Sequence, residues 1–273
     1  MAEHLLAIDR LAAEFAGDPP ARVLHGVSLA IERGAIAGLV GESGSGKSVT
    51  AKLILRLLDP TLCRVTEGAI RFDGIDLLAL AAEPMRRLRG KRIAYVPQEP
   101  MNAMNPSVRI GKQLEMVLRE HLAIGGREAR TRSAALLEKL HVRDPERILA
   151  AYPFQLSGGL RQRAVLANAF LCDPELLLAD EPTTALDVTV QAEVLELIRE
   201  RARESGAAVL FITHNMGVVW RLCHTVFVMR RGTIVEHGAT EAVLEDPREA
   251  YTRSLLAALP ERNRPRTPIP VAS

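Results

Sequence analysis

Residues 41–48, GESGSGKS, combine the residue types that bind the phosphates of a nucleotide. They match the pattern G-x-x-x-x-G-K-[ST] and lie between a short apolar stretch and a segment of helical character. Glycines let backbone N–H groups point at phosphate oxygens, Lys47 would neutralise the β- and γ-phosphates, and the Ser48 hydroxyl would ligate Mg²⁺. An ordinary Gly/Ser turn with an exposed lysine is the alternative, but the filled pattern in this context predicts a nucleoside triphosphate site.

A second group of residues could hold the metal and activate water. The apolar run Leu176–Ala179 ends in two acids, Asp180 and Glu181. A buried strand would present Asp180 at its carboxyl end, where it could hold Mg²⁺ through water, and Glu181 could polarise an attacking water molecule. An exposed acidic turn is the alternative, and the phosphate loop earlier in the chain favours the catalytic interpretation.

The segment LSGGLRQR at residues 156–163, called here the signature segment, discriminates between nucleotide-binding families. Ser157, Gly158 and Gly159 open a helix, which offers a hydroxyl and bare backbone amides to a phosphate. By itself the segment could be a simple helix N-cap. Phosphate loops of guanine-nucleotide proteins and small-molecule kinases do not require this second glycine-capped helix, so its presence favours another class of protein.

These residues need an α/β framework to position them. Apolar and β-branched runs predict strands over 5–15, 23–31, 35–40, 69–72, 92–96, 176–179 and 207–213. A helix is predicted over 49–58, and charged helices over 110–150 break at Gly125–Gly126 and Asp144–Pro145. Val190, Val194, Leu197 and Ile198 fall on one face of a further helix. The pattern predicts an α/β core interrupted by a helical insert.

Composition excludes several classes of protein. With 48% hydrophobic and 25% charged residues, the chain can bury a sizeable core, unlike a disordered chain or a collagen. Because 35 Lys and Arg oppose 33 Asp and Glu, the net charge of +2 predicts no strong field for nucleic acid. Apolar runs stay below the ~18 residues of a membrane span, and no leader pattern is seen. The three cysteines have no close pairing, so we expect reduced thiols in an intracellular chain.

With these motifs in order, the sequence resembles the ATP-binding subunits of ABC transporters over residues 5–260. The resemblance implies an α/β P-loop ATPase with a mixed sheet, whose parallel part is RecA-like, an N-terminal antiparallel β-subdomain and a helical subdomain carrying the signature. It implies one ABC ATPase domain over 1–260 and a flexible tail over 261–273. Within the domain, the implied parts are a core (1–98 and 174–245), a helical subdomain (103–173) and an extension (246–260).

The resemblance also implies roles for single residues. Gln98 resembles the residue that senses Mg²⁺ and the γ-phosphate, residues 185–187 (Ala-Leu-Asp) resemble the loop that crosses a dimer interface, and His214 resembles the switch histidine. By itself, His214 could be a structural hydrogen-bonding residue. The implied catalytic residues are Glu181, His214 and Gln98, and the implied Mg²⁺ ligands are Ser48, Gln98 and, through water, Asp180. The implied ATP contacts are Gly41, Glu42, Ser43, Gly44, Ser45, Gly46, Lys47, Ser48, Val49 and Asp187, with Ser157, Gly158 and Gly159 acting on the nucleotide of a partner.

Two positions depart from the family pattern or leave it incomplete. Leu160 stands where family members usually carry Gln or Met, which we expect to tune the rate rather than abolish function. The residue that stacks on adenine is unassigned. Phe15 is a candidate, but it could equally be a core residue of a strand, and we prefer that interpretation.

Three stretches resemble the ATPase subunits of peptide and nickel importers: 41–50, 97–106 and 246–260. This resemblance implies a second ATPase subunit, either a paralogue or another copy, two transmembrane permeases and, indirectly, an extracytoplasmic binding protein, but no nucleic acid. It places the chain as a peripheral subunit at the cytoplasmic face of the inner membrane. Dipeptides, oligopeptides and nickel chelates stay open as cargo. The candidate permease contacts are Asn102, Met104, Asn105 and Pro106, and an ordinary exposed loop is the less favoured alternative.

Two other functions are alternatives to an importer ATPase. A soluble ABC ATPase acting on ribosomes or DNA would resemble translation factors with two cassettes, or repair proteins with coiled coils or zinc cysteines, and the sequence has neither feature. A nucleotide-gated partner without turnover is disfavoured by Glu181 and His214. The predicted function is an ATP-hydrolysing importer subunit, with the soluble ATPase as the alternative.

Overall fold

The computed structural model describes residues 4–99, 103–184 and 187–258. The chain divides into two compact units. Among the described residues, the first unit comprises 4–85 and 208–258, and the second comprises 86–99, 103–184 and 187–207. The predicted tail, 261–273, lies outside the described residues.

The described residues contain ten strands and ten α-helices. The strands are β1 (Leu6–Phe15), β2 (Ala21–Ile31), β3 (Ile36–Val40), β4 (Cys63–Phe72), β5 (Ile75–Asp76), β6 (Ile93–Val96), β7 (Leu176–Asp180), β8 (Ala208–Thr213), β9 (Thr225–Arg230) and β10 (Thr233–Ala239). The helices are α1 (Lys47–Ile54), α2 (Ala82–Leu88), α3 (Ile110–Leu122), α4 (Gly126–Lys139), α5 (Pro145–Ala150), α6 (Gly158–Phe170), α7 (Val188–Ser205), α8 (Met216–Leu222), α9 (Thr240–Glu245) and α10 (Ala250–Ala257).

The first unit contains an antiparallel sheet in the order β2-β1-β4-β5. Along β2, Val27, Leu29 and Ile31 are buried at every second position, so one face of the strand joins the core. The pairing of β1 with β2 shifts register between Ile8 and Leu11.

A second set of strands in the first unit leads directly to predicted site residues. β3 pairs in parallel with β8 and β9, and β9 pairs antiparallel with β10. All residues of β3 and β8 are buried, which is typical of strands covered on both faces. Val40 at the end of β3 pairs with Thr213 at the end of β8. The phosphate loop and His214 therefore leave the same edge of the sheet.

The second unit combines two parallel strands with helices. β6 and β7 run in parallel, with Val96 opposite Ala179. The predicted helix breaks at Gly125–Gly126 and Asp144–Pro145 are confirmed, because α4 begins at Gly126 and α5 begins at Pro145. The Asp144 side chain caps α5 by accepting a hydrogen bond from the Arg147 N–H at 3.0 Å.

Two predicted elements have other lengths in the structure. The helix after the phosphate loop was predicted over 49–58 but spans Lys47–Ile54, because Arg56 adopts a left-handed backbone with φ of 50° just beyond it. The strand predicted over 69–72 begins at Cys63, because the segment pairs with β1 along its full length despite the polar residues it contains.

Candidate functional site

The loop between β3 and α1 folds around the ammonium group of Lys47. Lys47 Nζ donates to the carbonyl oxygens of Gly41 and Glu42, each at 2.8 Å, and reaches Ser45 Oγ at 3.4 Å. Lys47 is the first residue of α1 and is 4% exposed. The loop thus holds a buried positive charge among its own backbone groups, which suits a polyphosphate ligand.

The N-terminus of α1 adds to this attraction for anions. Its N-cap is Gly46, which has no side chain to satisfy the first N–H groups, and no acid lies in the first turn. The positive end of the helix dipole and the N–H groups of this turn are the usual ligands of a phosphate. Ser48, half-buried in the same turn, carries the hydroxyl oxygen that suits Mg²⁺. These residues fit a magnesium nucleotide.

Neighbouring residues of the first unit require glycine at two loop positions. A Cβ on Gly41, whose φ is 155°, would lie 2.1 Å from the Met229 carbonyl oxygen. A Cβ on Gly46, whose φ is 106°, would lie 2.8 Å from Leu24 Cδ2. The spacing of the two glycines therefore follows from packing around the loop as well as from access to phosphates.

His214 lies at the sheet edge from which the phosphate loop emerges. It follows Thr213 of β8, its side chain is exposed, and the Asn215 N–H donates to Thr213 Oγ1 at 3.0 Å. Asn215 also caps α8 by accepting from the Gly217 N–H. These bonds order the turn that carries the histidine.

In the second unit, Asp180 is buried at the end of β7 and has a partner that sequence reasoning missed. Tyr95 Oη on β6 donates to Asp180 Oδ2 at 3.0 Å. Burial, followed by the negative charge and the hydrogen bond of Asp180, raises the pKa of the Tyr95 phenol well above its ordinary value. Tyr95 therefore remains a donor to the carboxylate.

Glu181 and Gln98 are brought together by the parallel register of β6 and β7. Each lies two residues beyond a paired position, and Gln98 Nε2 lies 3.4 Å from Glu181 Oε2. Thr184 Oγ1 donates to the same oxygen at 2.8 Å. Glu181 has a φ of 46°, a conformation that non-glycine residues adopt rarely and that is found at functional sites. The arrangement orients a carboxylate that could act on water.

The signature segment forms the start of α6. Ser157 is its N-cap, with Oγ accepting from the Leu160 N–H at 3.4 Å. The hydroxyl is exposed and its own O–H can still donate, so capping the helix and contacting a phosphate are compatible. Ser157 and Gly159 line a cleft of about 850 Å³ that also includes Arg143 and Arg147.

Asp187 caps the helix that supports the signature segment. Its Oδ1 accepts from the N–H groups of Thr189 and Val190 at the start of α7. Val190 then lies so near Gly159 that a Cβ there would be 3.0 Å from Val190 Cγ1. Ala185 and Leu186 lie outside the described residues.

The sequence profile of the ABC transporter family matches residues 24–184, more than half of the chain. The chain belongs to the ABC transporter family. It is 49% identical over 271 residues to a probable D,D-dipeptide transport ATP-binding protein of Escherichia coli K12, covering 99% of this chain and 83% of that protein. It is 42% identical to an oligopeptide transport ATP-binding protein of Bacillus subtilis 168, covering 88% of this chain and 67% of that protein.

A solved structure of an ABC cassette shares the fold. This dimeric ATP-binding cassette, in a post-hydrolysis state with ADP and inorganic phosphate, aligns with a TM-score of 0.76 and 27% identity, covering 86% of this chain and 98% of that one. The predicted ABC ATPase fold class is confirmed. The chain is an ATPase of the ABC family that uses ATP and Mg²⁺.

Two further observations concern metals and membranes. Among the described residues, no cluster of three or more His, Cys, Asp or Glu side chains could hold a metal ion. A magnesium ion carried by nucleotide phosphates needs only one or two protein oxygens, so ABC ATPase chemistry requires no such cluster. No helix in the described part of the chain is long and apolar enough to cross a membrane.

The remaining residues singled out in the sequence differ in their exposure to solvent. Met104 is buried, so its side chain cannot serve as an exposed permease contact, whereas Asn105 and Pro106 are exposed. Asn102 lies outside the described residues. Phe15 is half-buried at the end of β1. The contacts of Tyr95 and Thr184 were not predicted, because the apolar strand that carries Tyr95 and the Thr-Thr pair that includes Thr184 match no known motif.

Tyr95 gives a spectroscopic prediction. Because its pKa is raised, we expect substitution of Tyr95 by Phe to leave the phenolate absorbance gained between about pH 8 and 11 unchanged in the folded protein. In denaturant, the wild-type chain should titrate one more tyrosine than the variant. If Tyr95→Phe loses as much phenolate absorbance in the folded state as in the denatured state, the contact with Asp180 is contradicted.

The same shift links the stability of the fold to pH. The contribution of Tyr95 to stability is complete below the ordinary tyrosine pKa of about 10 and is lost as the pH rises above it.

Proposed function

We propose that this chain is the ATP-hydrolysing subunit of an ABC importer for peptides, with nickel chelates as the other substrate class that its subgroup transports. The observation that carries the proposal is the 49% identity, over nearly the whole chain, to a probable D,D-dipeptide transport subunit. Two relatives at 42% and 45% identity are an oligopeptide transport ATP-binding protein and a putative peptide import ATP-binding protein, which supports peptides as the cargo class.

The phosphate loop is the proposed nucleotide site. Backbone N–H groups of residues 43–49 and the Lys47 ammonium would hold the phosphates of ATP, as the buried charge and the start of α1 at a glycine suggest. Ser48, Gln98 and, through water, Asp180 are the proposed protein ligands of Mg²⁺. When bound, the metal neutralises charge on the phosphates.

Glu181 is the proposed general base. Its carboxylate is oriented by Thr184 and Gln98, and a carboxylate at the end of a buried strand can accept a proton from water as it attacks the γ-phosphate. His214, which leaves the same sheet edge as the phosphate loop, would contact the γ-phosphate.

Partner assembly completes the proposal. Two cassettes would close head to tail, with Ser157, Gly158 and Gly159 of one contacting the nucleotide of the other and Asp187 near the interface. The dimeric state of the similar solved cassette supports such closure. The closure of the cassettes would change the conformation of two permeases, to which a binding protein would deliver the cargo. The chain would lie at the cytoplasmic face of the inner membrane. For the ATPase core, the helical subdomain and the C-terminal extension, we propose the boundaries predicted from the sequence.

The transport assignment predicts which partners stimulate turnover. Assembled with the permeases and partner ATPase of its transport system in proteoliposomes, the chain should hydrolyse ATP faster when peptide-loaded binding protein is added. Ribosomes and DNA should leave the rate unchanged. Stimulation by ribosomes or DNA, and not by the loaded binding protein, would support the soluble ATPase instead.

Substitution of Glu181 by Gln should separate binding from turnover. We expect the variant to bind MgATP and to hydrolyse it at least ~100-fold more slowly, because a positioned base contributes about 10²–10⁴ to the rate. Lys47→Ala should weaken nucleotide binding itself. Glu138→Gln, the same change on an exposed part of α4, is the control and should turn over normally. Near-normal ATPase activity of Glu181→Gln in the assembled transporter would remove Glu181 from the mechanism.

The signature segment should act on the partner's nucleotide. We expect Ser157→Arg to leave ATP binding by the isolated chain nearly unchanged and to block hydrolysis in the assembled dimer, because bulk and charge replace a small exposed hydroxyl. Thr131→Arg, at an exposed position of α4, adds the same charge and should be neutral. Loss of ATP affinity in the isolated, folded Ser157→Arg chain would show that Ser157 acts within its own subunit.

A further inference from the structure

A tyrosine from the C-terminal part of the first unit contacts the phosphate loop. The hydroxyl of Tyr251, on α10, accepts a hydrogen bond from the Glu42 N–H at 3.0 Å. The residues are 209 positions apart in the sequence. Tyr251 is 7% exposed, and the Arg230 guanidinium lies over its ring, 4.8 Å from the centroid. The ring is thus held by burial and by a cation–π interaction on its face.

The contacted N–H belongs to the peptide group that also holds the loop lysine. The Gly41 carbonyl and the Glu42 N–H are the two polar ends of one peptide unit, and the carbonyl accepts from Lys47 Nζ at 2.8 Å. Because a peptide unit is planar, it cannot rotate to release one of these bonds without disturbing the other. Hydrogen bonds at the two ends of a peptide also polarise each other. The position of Tyr251 is therefore linked to that of the Lys47 ammonium.

The helix that carries Tyr251 is anchored independently of the loop. The Glu236 carboxylate on β10 accepts from the N–H groups of Arg248 at 2.7 Å and Glu249 at 3.2 Å, and from the hydroxyl of Thr252. Burial by itself would raise the pKa of Glu236, but these hydrogen bonds outweigh it and lower the pKa, so the carboxylate is ionised. It holds the two residues that precede α10 and the side chain of Thr252 in its first turn. Tyr251 thus extends from a fixed helix.

We propose that Tyr251 is a positioning residue for Lys47, which makes α10 part of the nucleotide site. This inference rests on the proposed role of the phosphate loop. Tyr251 contacts the loop through the N–H of Glu42, at the exposed second position, so it would order the loop without occupying the helix N-terminus where phosphates bind. Its effect is to reduce the freedom of the Gly41–Glu42 peptide, so that less ordering remains to be done when a nucleotide binds.

The test compares two Tyr→Phe substitutions by calorimetric titration of the full chain with MgATP. Tyr251→Phe keeps the ring and removes the acceptor, and we expect about fivefold to twentyfold weaker MgATP binding, as for loss of one partly buried hydrogen bond. Tyr152→Phe makes the same change in the second unit, where the ring stacks on Phe154, and it should stay within twofold of wild type. Both nucleotide-free variants should still unfold cooperatively, so that a loss of affinity is not a loss of folding.

Steady-state kinetics of the assembled transporter add a readout that simple loss of packing would not reproduce. We expect Tyr251→Phe to raise KM for MgATP by the same factor as it weakens binding and to change kcat by less than twofold, because bound nucleotide orders the loop at saturation. Equal affinity losses in Tyr251→Phe and Tyr152→Phe, or wild-type affinity in Tyr251→Phe, would overturn the inference.

A third variant separates failure of the inference from failure of the site. If Lys47→Ala abolishes MgATP binding while Tyr251→Phe binds like wild type, the phosphate loop assignment stands and the role of Tyr251 is wrong. If Lys47→Ala binds MgATP as the wild type does, the proposed nucleotide site itself is wrong, and the inference falls with it.

Discussion

An ammonium group removed from water loses favourable hydration, and the first unit compensates for this at Lys47 with the carbonyl oxygens of Gly41 and Glu42. To offer both carbonyls to one cation, the loop must curl back on itself. That curl brings Gly41 against the Met229 carbonyl, where no side chain fits. The glycine pattern, the buried lysine and the neighbouring strand β9 are consequences of the same constraint.

The two halves of the chemistry are positioned by the same geometric rule. In parallel strands, residues following paired positions emerge at one edge of the sheet, where α/β proteins place their sites. The pair Val40–Thr213 does this for the phosphate loop and His214, and the pair Val96–Ala179 does it for Gln98 and Glu181. In each unit, the pairing of two strands therefore positions two functional segments next to each other.

The sequence predicted most strands, the helix breaks and the order of the motifs, because each depends on local pattern. It did not predict the start of β4, since polar residues there are retained by pairing with β1. It also missed the Tyr95–Asp180 bond, which joins residues 85 positions apart. Such contacts are set by tertiary folding, and neither partner's neighbours in the chain carry a signal for them. Ser157 illustrates a milder case, because the N-cap and the phosphate contact that seemed to be alternatives are compatible.

Arg163 has a mechanical consequence for the signature segment. From α6 it donates to the carbonyl oxygens of Leu140 and His141, beyond α4, and to the carboxylate of Glu193 on α7. One guanidinium thus fastens three helices of the second unit together, two turns away from Ser157. Because one side chain joins the end of α4 and the side of α7 to α6, a displacement of either helix would also move the helix that begins at the signature serine.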